Sequence, residues 1–304
     1  MNDTHHSPEG VSVIGLGAMG AGLAQAFLES GCRVSVWNRS RDKVDALVAQ
    51  GAIACDTPAE ALDANDHVVV CLSTYAAWQK IIEEHSLTGH FKDTCIIQLT
   101  TGTLDEVGEH AAMISESGGL IADGALMCFP RQLGTSDASL LVSGDPAVLD
   151  GCDPLLRMLA PAWTNLGEDI TKPTVLSRSL TAGIVTSLVG YMNGVAMCRA
   201  GGISLDLYMQ HTVKANAILR AEKDRLAEAV RDGETEDTQA SIETWAEAHD
   251  SVHSVAGALG THLILQDAVK AVFKDGQRAG LGEHDLSALV DVFDPSADDS
   301  NESL

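Results

Sequence analysis

Val11-Ser12-Val13-Ile14 runs directly into Gly15-Leu16-Gly17-Ala18-Met19-Gly20, a G-x-G-x-x-G turn at the end of an apolar strand. Glycine at the first position permits a tight strand-to-helix turn, at the third it lets the backbone approach an anion, and at the sixth it lets the next helix pack on the sheet. The positive end of that helix then points at whatever lies above the turn. Met19, Leu23 and Phe27 continue at helical spacing, Gly31 closes the helix, and Arg33-Val34-Ser35-Val36-Trp37 reads as the second strand of a βαβ unit. This context turns a common glycine turn into a dinucleotide cradle made by Gly15, Leu16, Gly17, Ala18, Met19 and Gly20.

The second strand ends in Asn38-Arg39-Ser40-Arg41, followed by Lys43. A carboxylate there would accept hydrogen bonds from a ribose 2′-hydroxyl, but this stretch offers cations and hydroxyls, which suit a 2′-phosphate. The reading is NADPH held by Asn38, Arg39, Ser40 and Lys43, with a solvated basic loop as the plain alternative. The whole chain carries a formal charge of −24 with 19 Lys+Arg, so the cluster of Arg33, Arg39, Arg41 and Lys43 is a local basic island in an acidic protein. The same charge disfavours nucleic acid and anionic membranes as partners.

With 304 residues and 45% apolar content the chain can bury more than one core. Short apolar runs at 52–54, 67–71, 94–98, 119–123 and 139–143 alternate with helix-like segments, which implies a mostly parallel, doubly wound Rossmann-type α/β sheet. Ligands then sit at the carboxyl ends of the strands, so the loops after Ile14, Cys71 and Gln98 become candidate contacts. Cys71, Leu72, Ser73, Thr100 and Thr101 join the cofactor set.

After Pro173 only helical patterns remain, near 205–230, 239–258, 262–279 and 285–293. The expected division is a cofactor domain over 8–172 and an interdomain helix with an all-α C-terminal domain over 173–304. Ser179 to Cys198 is free of charge and long enough to span a membrane, but Thr181, Thr186, Ser187 and Asn193 dilute it, and Gly190 and Gly194 stand at G-x-x-x-G spacing. These features favour a helix buried in a protein assembly. Seven scattered cysteines without a C-x-x-C pair argue against a disulfide framework or a zinc site and for a reducing, cytoplasmic setting. The leader with His5-His6 lacks a secretion pattern, and the acidic tail from Asp294 to Glu302 reads as disordered.

Four stretches resemble the NADPH-dependent imine reductases of the β-hydroxyacid dehydrogenase superfamily. They are Gly15 to Gly20 with Asn38-Arg39-Ser40, then Gln98-Leu99-Thr100-Thr101-Gly102-Thr103, then Asp123-Gly124-Ala125-Leu126-Met127-Cys128-Phe129-Pro130, and last Gly167-Glu168-Asp169 with Gly280-Leu281-Gly282-Glu283-His284-Asp285. The resemblance implies a 6-phosphogluconate dehydrogenase-like helical domain and an interlocked, domain-swapped homodimer. Its substrate would be a small imine or iminium, with no metal.

Hydroxyacid dehydrogenases of the superfamily need a lysine early in the long helix, and this chain has none between Lys172 and Lys214. Imine reductases carry Asp or Tyr at the corresponding position, where counting without gaps places Ser177. A serine is a poor acid near neutral pH, so the reading gives Ser177, with a bound water, the role of steadying the nitrogen of an iminium that already carries its charge.

Tyr191, Tyr208, His211 and Asp123 are further donor candidates. Arg178 is expected to point away from the cleft or to meet cofactor phosphate, and His249 and His253, four apart on one helix, read as packing groups. The residues that accompany reductive amination in the family, Asn near Thr101, Asp near Ser177 and Tyr near Val185, are missing, so the expected reaction is reduction of preformed cyclic imines. A β-hydroxyacid-type dehydrogenase and a silent NADPH-binding protein are the alternatives.

Overall fold

The computed structural model describes residues 10–236 and 238–294; His5, His6 and the tail beyond Asp294 lie outside the described residues. Among the described residues one sheet of eight strands runs in the order β3-β2-β1-β4-β5-β6-β7-β8. The strands are β1 (Gly10–Ile14), β2 (Arg33–Trp37), β3 (Ile53–Ala54), β4 (His67–Val70), β5 (Cys95–Gln98), β6 (Leu120–Leu126), β7 (Leu140–Gly144) and β8 (Thr164–Asn165). All pairings are parallel except β6 with β7. Strands after β1 go to one side as far as β3, and from β4 onward to the other, so the crevice over β1 and β4 is the topological switch point.

The helices are α1 (Ala18–Glu29), α2 (Arg41–Val48), α3 (Pro58–Asp63), α4 (Tyr75–His85), α5 (Leu104–Glu116), α6 (Pro146–Leu159), α7 (Lys172–Ala200), α8 (Leu205–Asp232), α9 (Ile242–Ala258), α10 (Ile264–Arg278) and α11 (Leu289–Phe293). Successive strand residues face opposite sides, and both sides are covered. Val11, Val13, Val69 and Ile97 pack with Leu23 and Phe27 of α1 and Leu155 and Leu156 of α6. Ile14, Val68, Val70 and Ile96 pack with Leu62 of α3, Trp78 of α4 and Ile114 of α5. Burial on both faces explains the consecutive valines of β4 and the consecutive isoleucines of β5, and Ser12 in β1 is buried along with its apolar neighbours.

The expected strands are present, and two features differ from the sequence reading. β8 is two exposed residues without an apolar pattern, held by pairing with β7. The compact units divide between Ala182 and Gly183, inside α7, and not at 172/173 where the helix starts. Pro173 does not break α7 because it stands in the first turn, where its missing N–H is not needed.

In the second unit the resemblance stretch 280–285 ends in Asp285, which is fully buried. Its carboxylate accepts from Arg225 (3.0 Å), Thr238 Oγ1 (2.6 Å) and the Ser287 backbone N–H (3.0 Å). Burial alone would raise its pKa, but these donors outweigh it and hold it at about 2.

Candidate active site

Gly15 sits at φ +96°, where a side chain would run into the Cys71 carbonyl, so the turn out of β1 can be made only by glycine. The Leu16 N–H donates to Asn38 Oδ1 (2.9 Å), and Asn38 Nδ2 donates to the Ser40 carbonyl (3.2 Å), tying the first loop to the end of β2. On the other side the Cys71 N–H donates to the Ile14 carbonyl (2.9 Å) and the Leu72 N–H to Thr100 Oγ1 (3.1 Å), while the Thr100 N–H donates to Gln98 Oε1 (3.0 Å). Three loops from different parts of the chain are thereby locked around one crevice of about 540 Å³.

The crevice suits a dinucleotide. A Cβ placed on Gly17 would meet no protein atom within 4 Å, and α1 begins there with no side chain capping its free N–H groups. The wall contains Gly15, Gly17, Ala18, Met19 and Gly20, then Asn38, Arg39, Ser40 and Lys43, then Cys71, Leu72 and Ser73. Leu16, expected in the cofactor set, does not line this wall: its side chain is buried in the core and its N–H is spent on Asn38. Among the described residues Arg39 and Lys43 have no ion-pair partner, and Ser40 begins α2 without spending its hydroxyl on a cap.

The basic island is smaller than the sequence suggests. Arg33 lies at the opposite end of β2 and donates to Asn65 Oδ1 (3.3 Å), and Arg41 is engaged by Asp45 (3.1 Å) and Asp56 (2.7 Å), leaving Arg39 and Lys43 to face a ligand.

A second cavity of about 190 Å³ brings together Met19, Leu72, Thr100, Thr101 and Ser177, closed by Gly124, Ala125 and Leu126 of β6. The Ser177 side chain is buried and donates to the Thr174 carbonyl at 3.2 Å, a long bond that turns its proton back along α7. Arg178 lines this cavity too, so it does not point away as the sequence reading allowed.

The NAD binding domain of 6-phosphogluconate dehydrogenase matches residues 10–167, and the C-terminal domain of the NADPH-dependent reductive aminase-like proteins matches 180–295. The chain belongs to the imine reductase family. An NADPH-dependent reductive aminase of Aspergillus oryzae is 27% identical over 293 residues, covering 93% of this chain and 96% of that protein. The solved imine reductase of Myxococcus stipitatus in complex with NADP+ superposes with a TM-score of 0.88 at 27% identity, over 92% of this chain and 98% of that one. For an imine reductase from Pseudomonas sp. the TM-score is 0.87 at 27% identity, over 95% and 100% of the two chains.

Relative to what the sequence showed of this imine reductase-family chain, the structure adds a buried acid beside the 98–103 loop. Asp123 is almost fully buried and accepts from Tyr75 Oη (2.8 Å); the Tyr75 ring packs edge-on against His110, centroids 4.8 Å apart. Gly102 has no side chain because the Tyr75 ring occupies that space, and Thr103 with Glu106 closes a capping box at the start of α5. Burial raises the Asp123 pKa to about 7, with the Tyr75 hydrogen bond pulling the other way, and burial followed by the Asp123 charge raises that of Tyr75. Asp123 therefore bolts the loop through Tyr75 and does not line either cavity.

A pH dependence follows. The folded-state pKa lies above the unfolded value of ~3.9, so folding keeps a proton that the unfolded chain releases, and stability falls as pH rises from about 4 to about 7. Asp123→Asn removes this slope. Thermal midpoints measured across that interval will decline in the wild type and be flatter in the variant, the variant gaining on the wild type toward neutral pH.

The other donor candidates lie in the second unit or are otherwise engaged. Tyr208 Oη donates to the Tyr191 carbonyl (3.4 Å), the two rings are 5.4 Å apart, and Tyr208 fills the space beside Gly194. One glycine of the G-x-x-x-G pair thus serves a contact within the chain, whereas Gly183 and Gly190 face open space. His249 Nε2 pairs with the Gln266 carbonyl (3.0 Å) and His253 Nε2 with Asp267 (2.9 Å), so they act separately on α10; His211 is exposed. Trp37, Lys80 and His85 also line the large crevice and escaped the sequence reading. Lys80 with Glu84 at i, i+4 looks like an ordinary solvated helix pair.

Proposed function

We propose that this chain catalyses NADPH-dependent reduction of preformed cyclic imines to amines. The observation that carries the reading is the adjacency of two cavities that share Met19, Cys71 and Leu72. One has a glycine-lined cradle with an unpaired Arg39 and Lys43, and the other is small, with Ser177 where a hydroxyacid enzyme would need a lysine. When bound, NADPH supplies the hydride that the C=N carbon receives.

The backbone of Gly15 to Gly20 and the start of α1 would hold the pyrophosphate, and Arg39, Ser40 and Lys43 would hold the 2′-phosphate. Thr100 and Thr101, on the loop bolted by Tyr75 and Asp123, would stand on the side of the small cavity. Arg178 lines the small cavity beside Ser177, where its charge works against a cationic substrate.

Ser177 steadies the substrate nitrogen. A hydroxyl cannot protonate an imine efficiently near neutral pH, so the iminium brings its own charge and the product takes its proton from solvent. Its oxygen can accept from an iminium N–H while its own proton stays on the Thr174 carbonyl. Ser177→Ala removes one hydrogen bond to a charged group, about 1.5–2 kcal/mol, and is expected to lower kcat/KM for a cyclic imine roughly 10- to 30-fold with unchanged NADPH affinity. Unchanged steady-state kinetics in the variant would remove Ser177 from the reaction.

The decisive assay follows NADPH absorbance with 1-pyrroline or 3,4-dihydroisoquinoline, against β-hydroxyacids with NADP+ and a ketone with an amine. Turnover of the cyclic imines with little activity in the other two arms is the expected outcome. Turnover of the hydroxyacids alone would return the chain to the dehydrogenase class, and tight NADPH binding without any turnover would make it a silent binder.

The reading includes an interlocked homodimer. By length and composition α7 could cross a membrane, with mean hydropathy 1.3, and its apolar window is not buried within the chain. Ile184, Leu188 and Met192 on α7, and Val213 and Ile218 on α8, are all more than half exposed. Such a surface is larger than single scattered apolar residues account for and supports an obligate interface between two chains, whose helices complete each other's cleft. Light scattering after size exclusion is expected to give twice the chain mass of 31.9 kDa at micromolar concentration without detergent; a monomer under those conditions would contradict it. Seven free thiols support a reducing, cytoplasmic location.

A further inference from the structure

The sequence reading found no metal pattern in the cysteines, yet the fold gathers three soft donors far from the crevice. His67 opens β4 and Cys95 opens β5; they are register partners, so both side chains leave the sheet on the same face. That face is covered by α6, which brings Cys152, and the Cys95 and Cys152 sulfurs are 3.3 Å apart. The donor atoms of His67, Cys95 and Cys152 all lie within 4.8 Å of one another. The next residue on α6 toward its start is Gly151, where an added Cβ would have only His67 Nε2 near it, at 4.0 Å, so no side chain seals the imidazole.

We propose that His67, Cys95 and Cys152 form a binding site for a single zinc-class cation at the amino-terminal edge of the sheet, with one coordination position left open. Two sulfurs and an imidazole nitrogen are the donor set of borderline-soft ions and offer nothing to Mg²⁺ or Ca²⁺, which require oxygen. Charge balance favours the same choice. A divalent ion with two thiolates and a neutral imidazole is net neutral, the form a buried site tolerates best.

Binding forms two metal–sulfur bonds and one metal–nitrogen bond, releases two thiol protons to solvent and changes no oxidation state. Tetrahedral zinc keeps its sulfurs about 3.8 Å apart, so they separate by roughly half an ångström on binding. The site is ~13 Å along the strand from the crevice at Cys71, and NADPH chemistry does not run through it.

The test titrates the full-length reduced protein with Co²⁺ and then Zn²⁺. One Co²⁺ per chain is expected to give thiolate-to-cobalt charge-transfer absorption in the near ultraviolet and the d–d bands of a four-coordinate ion, both erased by one Zn²⁺. Cys95→Ser/Cys152→Ser loses the bands, whereas Cys55→Ser, a buried thiol on the opposite face of the sheet, keeps them. If the double variant does not fold, His67→Gln, at a partly exposed position, is read instead. It should bind Co²⁺ about 100-fold more weakly, one ligand's share of a zinc-class affinity. Absence of charge-transfer absorption in the reduced wild type, equal bands in the double variant, or unchanged affinity in His67→Gln would each overturn the proposal, the second by placing the ion on other thiols and the third by taking His67 out of the site.

Discussion

Gly17→Ala is expected to weaken NADPH binding by about 100-fold or more while leaving the thermal midpoint of the ligand-free protein unchanged. Gly17 has φ −66°, which any residue adopts, and its added methyl group would touch no protein atom within 4 Å. The only thing that methyl displaces is a ligand that approaches the backbone closely. Gly20→Ala provides the contrast. There the methyl would run into the Gly15 carbonyl, with its carbon at 2.9 Å, and both groups are backbone and cannot turn aside. That substitution should cost about 3 kcal/mol of stability, or roughly 5–10 °C in thermal midpoint. Fluorescence titration with NADPH and thermal unfolding of the two variants separate the glycine that holds the cofactor from the glycine that holds the fold. If Gly17→Ala bound NADPH as tightly as wild type, the pyrophosphate would not lie on this turn.

Arg39→Ala should lower kcat/KM with NADPH by about 10- to 100-fold, and Arg39→Ala/Lys43→Ala by more, while kcat/KM with NADH stays within about twofold. Each charge-assisted bond to a 2′-phosphate is worth about 1.5–3 kcal/mol, and NADH has no phosphate there to lose. Both side chains face the crevice without a protein partner among the described residues, so removing them leaves no buried charge behind and should not change stability. Arg41→Ala is the internal control. Its guanidinium is already held by Asp45 and Asp56, and its loss should change the cofactor preference little. Equal loss with both cofactors in the Arg39 variant would mean that the arginine shapes the adenine pocket instead of reading the phosphate.

The parts of this protein that could be read from its sequence are those whose physics is local. The cradle is set by three glycines and a strand within ten residues, and the doubly wound sheet by β-branched runs that announce burial on both faces. β8 was invisible because two exposed polar residues carry no pattern and are held by a neighbour. The basic island was over-read for a related reason. Arg33, Arg39, Arg41 and Lys43 are close in sequence, but a strand of five residues separates Arg33 from the crevice and two carboxylates claim Arg41.

The remaining features depend on pairings across long stretches of chain. Asp123 meets Tyr75 over 48 residues and Cys95 meets Cys152 over 57, and neither pair has a spacing rule that a linear reading can apply. Ser177 was placed by counting from flanking motifs, and the structure sets it in the cavity beside Thr100 and Thr101. Its hydrogen bond back to Thr174 was not legible, since Ser and Thr bond to the preceding helical turn only when packing selects that rotamer.

The central claim is that hydride passes from NADPH to the carbon of a C=N bond in this crevice, and isotope transfer tests it most directly. 3,4-Dihydroisoquinoline is reduced with NADPH carrying deuterium at the transferable C4 position, and the amine is examined by mass spectrometry and NMR. One deuterium per product molecule, placed on the former imine carbon, is the expected result. Unlabelled amine, or no amine under conditions where the labelled cofactor is bound, would contradict it.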